Sequence, residues 1–293
     1  MNKICGTGVA LITPFNGDGS IDYLSLDKLI DKVTQNGIDF LVVLGTTGES
    51  TSISKSEKQE LINHIVKFNN NTLPLVLGIG GNNTNNLIEE IDNTDLTPFD
   101  AVLSVTPYYN KPSQEGLYQH YSAISKVCPL PIILYNVPSR TGVNMSAELT
   151  LRLARDFNNI IAIKEASGDI DQIKEILNNK PDSFDVLSGD DGLTLEIIKN
   201  GGVGVISVIG QSHPFEFSSL VNHALDGDFM KAKVFHDQLD SYYHYLYSEG
   251  NPSGVKALLS LQGICENNLR LPLVPISNYL YEDLKFFLDN EIN

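Results

Sequence analysis

The sequence predicts an α/β protein: a TIM (β/α)8 barrel with a small C-terminal helical region. Three observations predict it. Short apolar, β-branched runs recur eight times between residues 8 and 208. Stretches of helical period separate most of them, the pattern of parallel strands joined by crossover helices. No GxGxxG turn links the first run to a helix, so the main mark of an open, doubly wound sheet is missing. Gly78-Ile79-Gly80-Gly81 follows the third run and matches that mark poorly.

The expected strands cover 8–13, 40–45, 75–78, 101–106, 131–136, 160–164, 184–188 and 204–208. Helical spacing is read at 26–33, where Leu26, Leu29, Ile30 and Val33 share one face, and at 56–67, where Leu61, Ile62, Ile65 and Val66 do. It recurs at 116–127, 147–157, 171–177 and 193–200. After residue 210 the strand pattern stops, and 217–225, 228–247, 254–265 and 279–288 read as helices broken at Asn251-Pro252 and Leu271-Pro272. The expected division is a catalytic barrel over 1–225 and a helical region over 226–293, with no flexible linker between them.

Of the 293 residues, 42 % are apolar and 19 % charged, which suits one large buried core. A net charge of -16 argues against nucleic acid and anionic membranes as partners, since both require clustered cations. Cys5, Cys128 and Cys265 are odd in number, far apart and without zinc or redox spacing, so they read as structural thiols. The apolar run 9–12 is short and closed by Pro14, which makes the cytoplasm the expected location. The six histidines form no metal-ligand pattern, and Asp190-Asp191 is far short of a coordination shell. No metal or organic cofactor is expected.

In a barrel the chemistry sits at the carboxyl ends of the strands. Lys164 ends the buried run Ile160-Ile161-Ala162-Ile163, where burial disfavours the ammonium form and favours a nucleophilic amine. The alternative is a lysine paired with a barrel carboxylate. Glu165 is adjacent, but strand alternation sends it to the opposite face. Tyr135 ends the fifth strand and Tyr109 lies beyond the fourth; each could move protons or simply pack. Gly45-Thr46-Thr47-Gly48-Glu49 offers amides and two hydroxyls to a carboxylate, or is an ordinary turn capped by Ser50 or Ser54. Arg140 follows the fifth strand, where it could grip a carboxylate in two-pronged fashion or sit in solvent.

These segments carry a resemblance. Gly45-Thr46-Thr47-Gly48-Glu49-Ser50, Pro107-Tyr108-Tyr109-Asn110-Lys111-Pro112, Tyr135-Asn136-Val137-Pro138-Ser139-Arg140-Thr141-Gly142, Ile163-Lys164-Glu165-Ala166-Ser167-Gly168 and Ser188-Gly189-Asp190-Asp191 occur in order. The chain resembles the dihydrodipicolinate synthase / N-acetylneuraminate lyase family of class I aldolases from about Gly6 onward. The resemblance implies a Schiff base between Lys164 and pyruvate, and condensation with L-aspartate 4-semialdehyde. It implies Tyr135 as acid/base, and Thr46 relaying protons to Tyr109 of a neighbouring subunit. Thr47 would hold the pyruvate carboxylate, Arg140 the second substrate, and Gly189 and Ile206 would line the pocket. It also implies a homotetramer, a dimer of dimers. A lysine-binding site between subunits would fall near Ser50, Thr51, Lys55, Lys58, Asn82, Asn86 and Tyr108. Here Lys58 stands where a histidine is usual and Asn86 where a glutamate is, so weak or absent lysine inhibition is expected. Arg140 favours the synthases over the sialic-acid lyases. A sugar-acid lyase, or a ligand-binding barrel without catalysis, are the alternative readings.

Overall fold

The computed structural model describes residues 4–291. Eight parallel strands close into a barrel in chain order: β1 (Gly6–Ala10), β2 (Phe40–Val43), β3 (Leu75–Gly78), β4 (Ala101–Val105), β5 (Ile132–Asn136), β6 (Ile160–Glu165), β7 (Asp185–Ser188) and β8 (Gly204–Ser207). β8 pairs back onto β1, with Gly8 opposite Ile206, so no sheet edge is left open. Every expected strand is present within a few residues of its predicted bounds.

The outer ring is α1 (Tyr23–Gln35), α2 (Lys55–Asn69), α3 (Thr84–Asn93), α4 (Gln114–Val127), the single turn α5 (Pro138–Thr141), α6 (Ala147–Asp156), α7 (Ile170–Asn179), α8 (Thr194–Lys199) and α9 (Pro214–Leu225). The interval holding α3 carried no expected helix. Its Thr-Asn-Asn start reads as a turn, and it buries only Leu87 and Ile91. The Asn83 side chain supplies the missing start signal by accepting from the amides of Asn85 and Asn86. α10 (Phe229–Tyr247), α11 (Ser253–Leu261) and α12 (Asn278–Glu291) follow.

Two apolar layers result from strand alternation. The larger lies between strands and helices and includes Val9, Leu41, Ile163 and Val186. The smaller fills the barrel with Phe40, Val42, Leu103, Ile133, Tyr135, Ala162, Leu187 and Ile206. β6 departs from strict alternation. The β5–β6 register slips between Ile132 and Ile133, so Ile132 faces Ile160 while Ile133 faces Ala162. The extra residue, Ile161, also packs against the inner layer. From there on Tyr135 faces Lys164, and Asn136 faces Glu165.

Asp191 does not sit in a metal shell. It is buried and accepts from the amides of Val208 and Ile209 and from the Tyr247 hydroxyl at 2.9 Å, which ties the ends of β7 and β8 to α10. Burial raises its carboxyl above the usual range. Among the described residues no group of three or more His, Cys, Asp or Glu side chains is arranged to hold a metal, and no helix is long and apolar enough to cross a membrane. His120 and His213 are packing residues that burial pushes down to about 4.

Candidate active site

At the carboxyl end of the barrel lies a cavity of about 340 Å³. Leu44, Leu103, Val105 and Val137 give it apolar walls, and Thr46, Thr47, Tyr135, Arg140 and Lys164 face it with polar groups.

Lys164 is 5 % exposed. Its Nζ lies 4.5 Å from the centre of the Tyr135 ring. No ion pair between Lys164 and a carboxylate occurs among the described residues. Glu165 points the other way. Both of its carboxylate oxygens accept from Asn136 Nδ2 at 3.1 Å, and Oε1 also accepts from the Ser167 amide at 2.8 Å. Burial raises this carboxyl, with those hydrogen bonds acting against the rise. The Asn136–Glu165 pair on the outer face therefore fixes the register that sets Tyr135 opposite Lys164 on the inner face.

Gly189 is absent from the cavity wall, but its missing side chain matters. A Cβ there would lie 3.0 Å from both Cγ and Cε of Lys164 and 2.7 Å from the Ala166 methyl. The glycine gives the lysine stem its path. Ile206 is likewise below the wall, 1 % exposed, in the inner layer with Tyr135.

The Thr46–Gly48 turn after β2 presents Thr46 at the mouth, while Thr47 is 2 % exposed. This loop is under backbone strain: Leu44 and Glu49 hold φ of 58° and 53°. Residues that the sequence did not single out hold it in place. Asn251 Nδ2 donates to Thr47 Oγ1 at 2.9 Å. Lys256, fully buried, pairs with buried Glu49 at 2.5 Å and lies over the Phe15 ring. Burial lowers the Lys256 pKa and Glu49 opposes the shift. The Arg270 amide donates to Glu49 Oε2 at 3.1 Å, and its guanidinium grips Glu57. The one available signal was Lys256 itself, a lone lysine inside the apolar stretch Gly254-Val255-Lys256-Ala257-Leu258-Leu259. Asn251 and Arg270 read only as residues beside helix breaks.

Arg140, on the single turn after β5, donates from Nη2 to the Asn251 carbonyl at 3.0 Å. Tyr109 is not in the cavity of its own chain. It is 88 % exposed on a left-handed backbone with φ of 74°. Tyr108, Ser50 and Lys58 line the cavity rim, and Asn82 donates to the Tyr108 carbonyl at 3.2 Å. Asn86 borders a second cavity, between α2 and α3, together with Lys58 and Glu90. Lys58 and Glu90 form an ion pair at 3.8 Å.

A closed parallel barrel whose mouth carries a buried lysine facing a tyrosine defines the class: a TIM barrel with its candidate site at the carboxyl ends of the strands. The family follows from comparison, since a model of the dihydrodipicolinate synthetase family matches residues 3–291, and the chain belongs to that family. It is 53 % identical over 287 residues to the 4-hydroxy-tetrahydrodipicolinate synthase of Phocaeicola vulgatus, covering 98 % of this chain and 97 % of that one. Its fold is similar to the crystal structure of dihydrodipicolinate synthase from Aquifex aeolicus, with a TM-score of 0.94, 39 % identity and 98 % of each chain covered. It is equally similar to the chloride-inhibited dihydrodipicolinate synthase of Acinetobacter baumannii complexed with pyruvate, at a TM-score of 0.94, 38 % identity and 98 % of each chain.

Proposed function

We propose that this chain condenses pyruvate with L-aspartate 4-semialdehyde to give 4-hydroxy-tetrahydrodipicolinate, a carbon–carbon bond-forming lyase step of lysine and diaminopimelate biosynthesis. The observation that carries it is Lys164, buried at the end of β6 beside Tyr135 on the cavity wall.

The Lys164 amine attacks the pyruvate ketone, and loss of one water gives an imine. The protonated imine draws electrons from the methyl group, which loses a proton and becomes an enamine carbon. Tyr135 carries protons in and out. Thr46 passes them on to Tyr109 of a second subunit, a role consistent with a tyrosine held out into solvent on strained backbone. Thr47 holds the pyruvate carboxylate, and Arg140 holds the carboxylate of the second substrate while the enamine attacks its aldehyde. The product amine then attacks the imine carbon, closing the ring and releasing Lys164. Gly189 and Ile206 support this wall from beneath. No step calls for a metal or an organic cofactor.

Use of a partner's Tyr109 makes self-association part of the reading, as a homotetramer built from two dimers in the cytoplasm. The reading divides the chain into a catalytic barrel over 1–225 and a C-terminal helical region over 226–293; residues 1–3 and 292–293 lie outside the described residues. Arg140 favours a synthase over a sugar-acid lyase, and Arg140→Ala distinguishes them by abolishing condensation while sparing imine formation. Lysine inhibition is weak or absent in this reading. Asn86 supplies no carboxylate, and the acid one turn on, Glu90, is already taken by Lys58. Calorimetric titration with lysine tests this, and tight binding would refute it.

Borohydride reduction in the presence of pyruvate, followed by peptide mass mapping, tests the central step. A reduced pyruvate adduct on Lys164 is the expected result. No adduct, with pyruvate shown to bind, removes the aldolase mechanism.

A further inference from the structure

We infer that Asn251 is a positioning residue that aims the Thr47 hydroxyl into the cavity and so tunes the pyruvate subsite separately from the aldehyde subsite. This deepens the Schiff-base reading and rests on it.

Asn251 comes from the segment between α10 and α11, 204 positions from Thr47 in the chain. It is 8 % exposed and lies on the cavity wall. Its side chain and its main chain do different work. The Nδ2 group donates to Thr47 Oγ1 at 2.9 Å, whereas the backbone carbonyl accepts from Arg140 Nη2 at 3.0 Å.

A threonine hydroxyl carries one hydrogen and two lone pairs. With the oxygen accepting from Asn251, that hydrogen is left for the cavity, where an anionic carboxylate would take it. The opposite amide orientation would let Oδ1 accept from Thr47 and draw the hydrogen out of the site. The observed arrangement leaves Asn251 Oδ1 buried with no partner among the described residues. An unpaired buried acceptor is costly and calls for a reason. Orienting the hydroxyl toward a bound carboxylate supplies one. Arg140 is held by the carbonyl, so a change of side chain at 251 leaves its anchor in place.

The test compares Asn251→Asp and Asn251→Ala with the wild-type chain in steady state, varying pyruvate and L-aspartate 4-semialdehyde in turn. Aspartate keeps the size of the side chain but can only accept. It turns the Thr47 hydrogen away and sets a like charge beside the pyruvate carboxylate. The expected result is a rise of about tenfold or more in the pyruvate KM, the loss of one hydrogen bond to a charged group. The aldehyde KM stays within about twofold. Alanine removes the donor without adding charge, so its pyruvate KM lies between the two. A packing role predicts the reverse order, because alanine opens a hole and aspartate does not. A wild-type pyruvate KM in Asn251→Asp, an alanine variant worse than the aspartate one, or both KM values rising together would overturn the inference. Borohydride trapping at saturating pyruvate keeps the two readings apart. No adduct in the wild-type chain defeats the Schiff-base reading itself. An adduct in all three chains with an unshifted aspartate variant defeats only the role of Asn251.

Discussion

The two flanks of the cavity are built in different ways. On one, Tyr135 and Lys164 are register partners on neighbouring strands, and the Asn136–Glu165 pair that backs them joins residues 29 positions apart. Once β5 and β6 have paired, this flank has its geometry. On the other, Thr46 and Thr47 stand on a strained loop whose ties run to Asn251 and Arg270, 204 and 221 positions from their partners. That flank is held by contacts from the C-terminal segment. Lys164 is thus placed by the sheet, and the Thr46–Thr47 loop by tertiary contacts. The second flank should therefore loosen without the first.

The largest expected effect is on the second flank. Lys256→Met leaves Glu49 as an uncompensated buried carboxylate, at a cost of about 3–5 kcal/mol. In a chain of this size that lowers Tm on the order of 10 °C. Glu49→Gln added to Lys256→Met removes the stranded charge and recovers part of the loss. The pyruvate KM should rise in the single variant, with the Lys164 adduct still formed at saturation. An unchanged Tm in Lys256→Met would mean that the buried pair does not hold the loop.

The next effect is on the first flank and is kinetic. Gly189→Ala sets a methyl 3.0 Å from two carbons of the Lys164 stem, with the Ala166 methyl at 2.7 Å on its other side. The lysine must shift, and a displacement of about 1 Å costs roughly 10²-fold in rate. Single-turnover imine formation should slow by about that factor while the pyruvate KM changes little. The opposite split, with KM raised and the imine step intact, would break the division between the flanks.

The flanks also differ in how much of them the sequence discloses, for the same physical reason. β-branched runs and strand alternation locate Lys164, Tyr135 and the outward turn of Glu165, because local periodicity decides which face a strand residue takes. Even there the irregularity at Ile161 was invisible, since a register slip depends on the partner strand. The Thr46–Thr47 turn was legible as a glycine-bounded loop, but what holds it was not. Asn251, Lys256 and Arg270 owe their importance to contacts across two hundred residues, which no local pattern records. α3 failed for a smaller reason: its asparagine-rich start imitates a turn, and only the Asn83 cap reveals a helix beginning. Tyr109 was legible as a motif residue, yet its surface placement follows from the backbone of its loop.

The smallest effect concerns the outer rim of the second flank and depends on pH. Glu57 closes the capping box of α2, accepting from the Ser54 amide at 2.9 Å, and receives the Arg270 guanidinium. The hydrogen bonds from Arg270, then those from Ser54, hold its carboxyl down to about 2 from an ordinary 4.5. A folded-state pKa below the unfolded one stabilises the protein above the unfolded value, and the contribution fades as pH falls through the folded value. It is therefore complete at neutral pH, begins to fall below 4.5 and is gone near 2. The pair is partly exposed, so solvent screening keeps it to about 1 kcal/mol or less. Urea unfolding of the wild type and Glu57→Gln should show a small gap that is flat from pH 7 to about 5 and closes toward about pH 2. A gap that persists unchanged into acid would assign the effect to the shape of the cap and not to its charge, leaving the buried Glu49–Lys256 pair as the ionic tie of this flank.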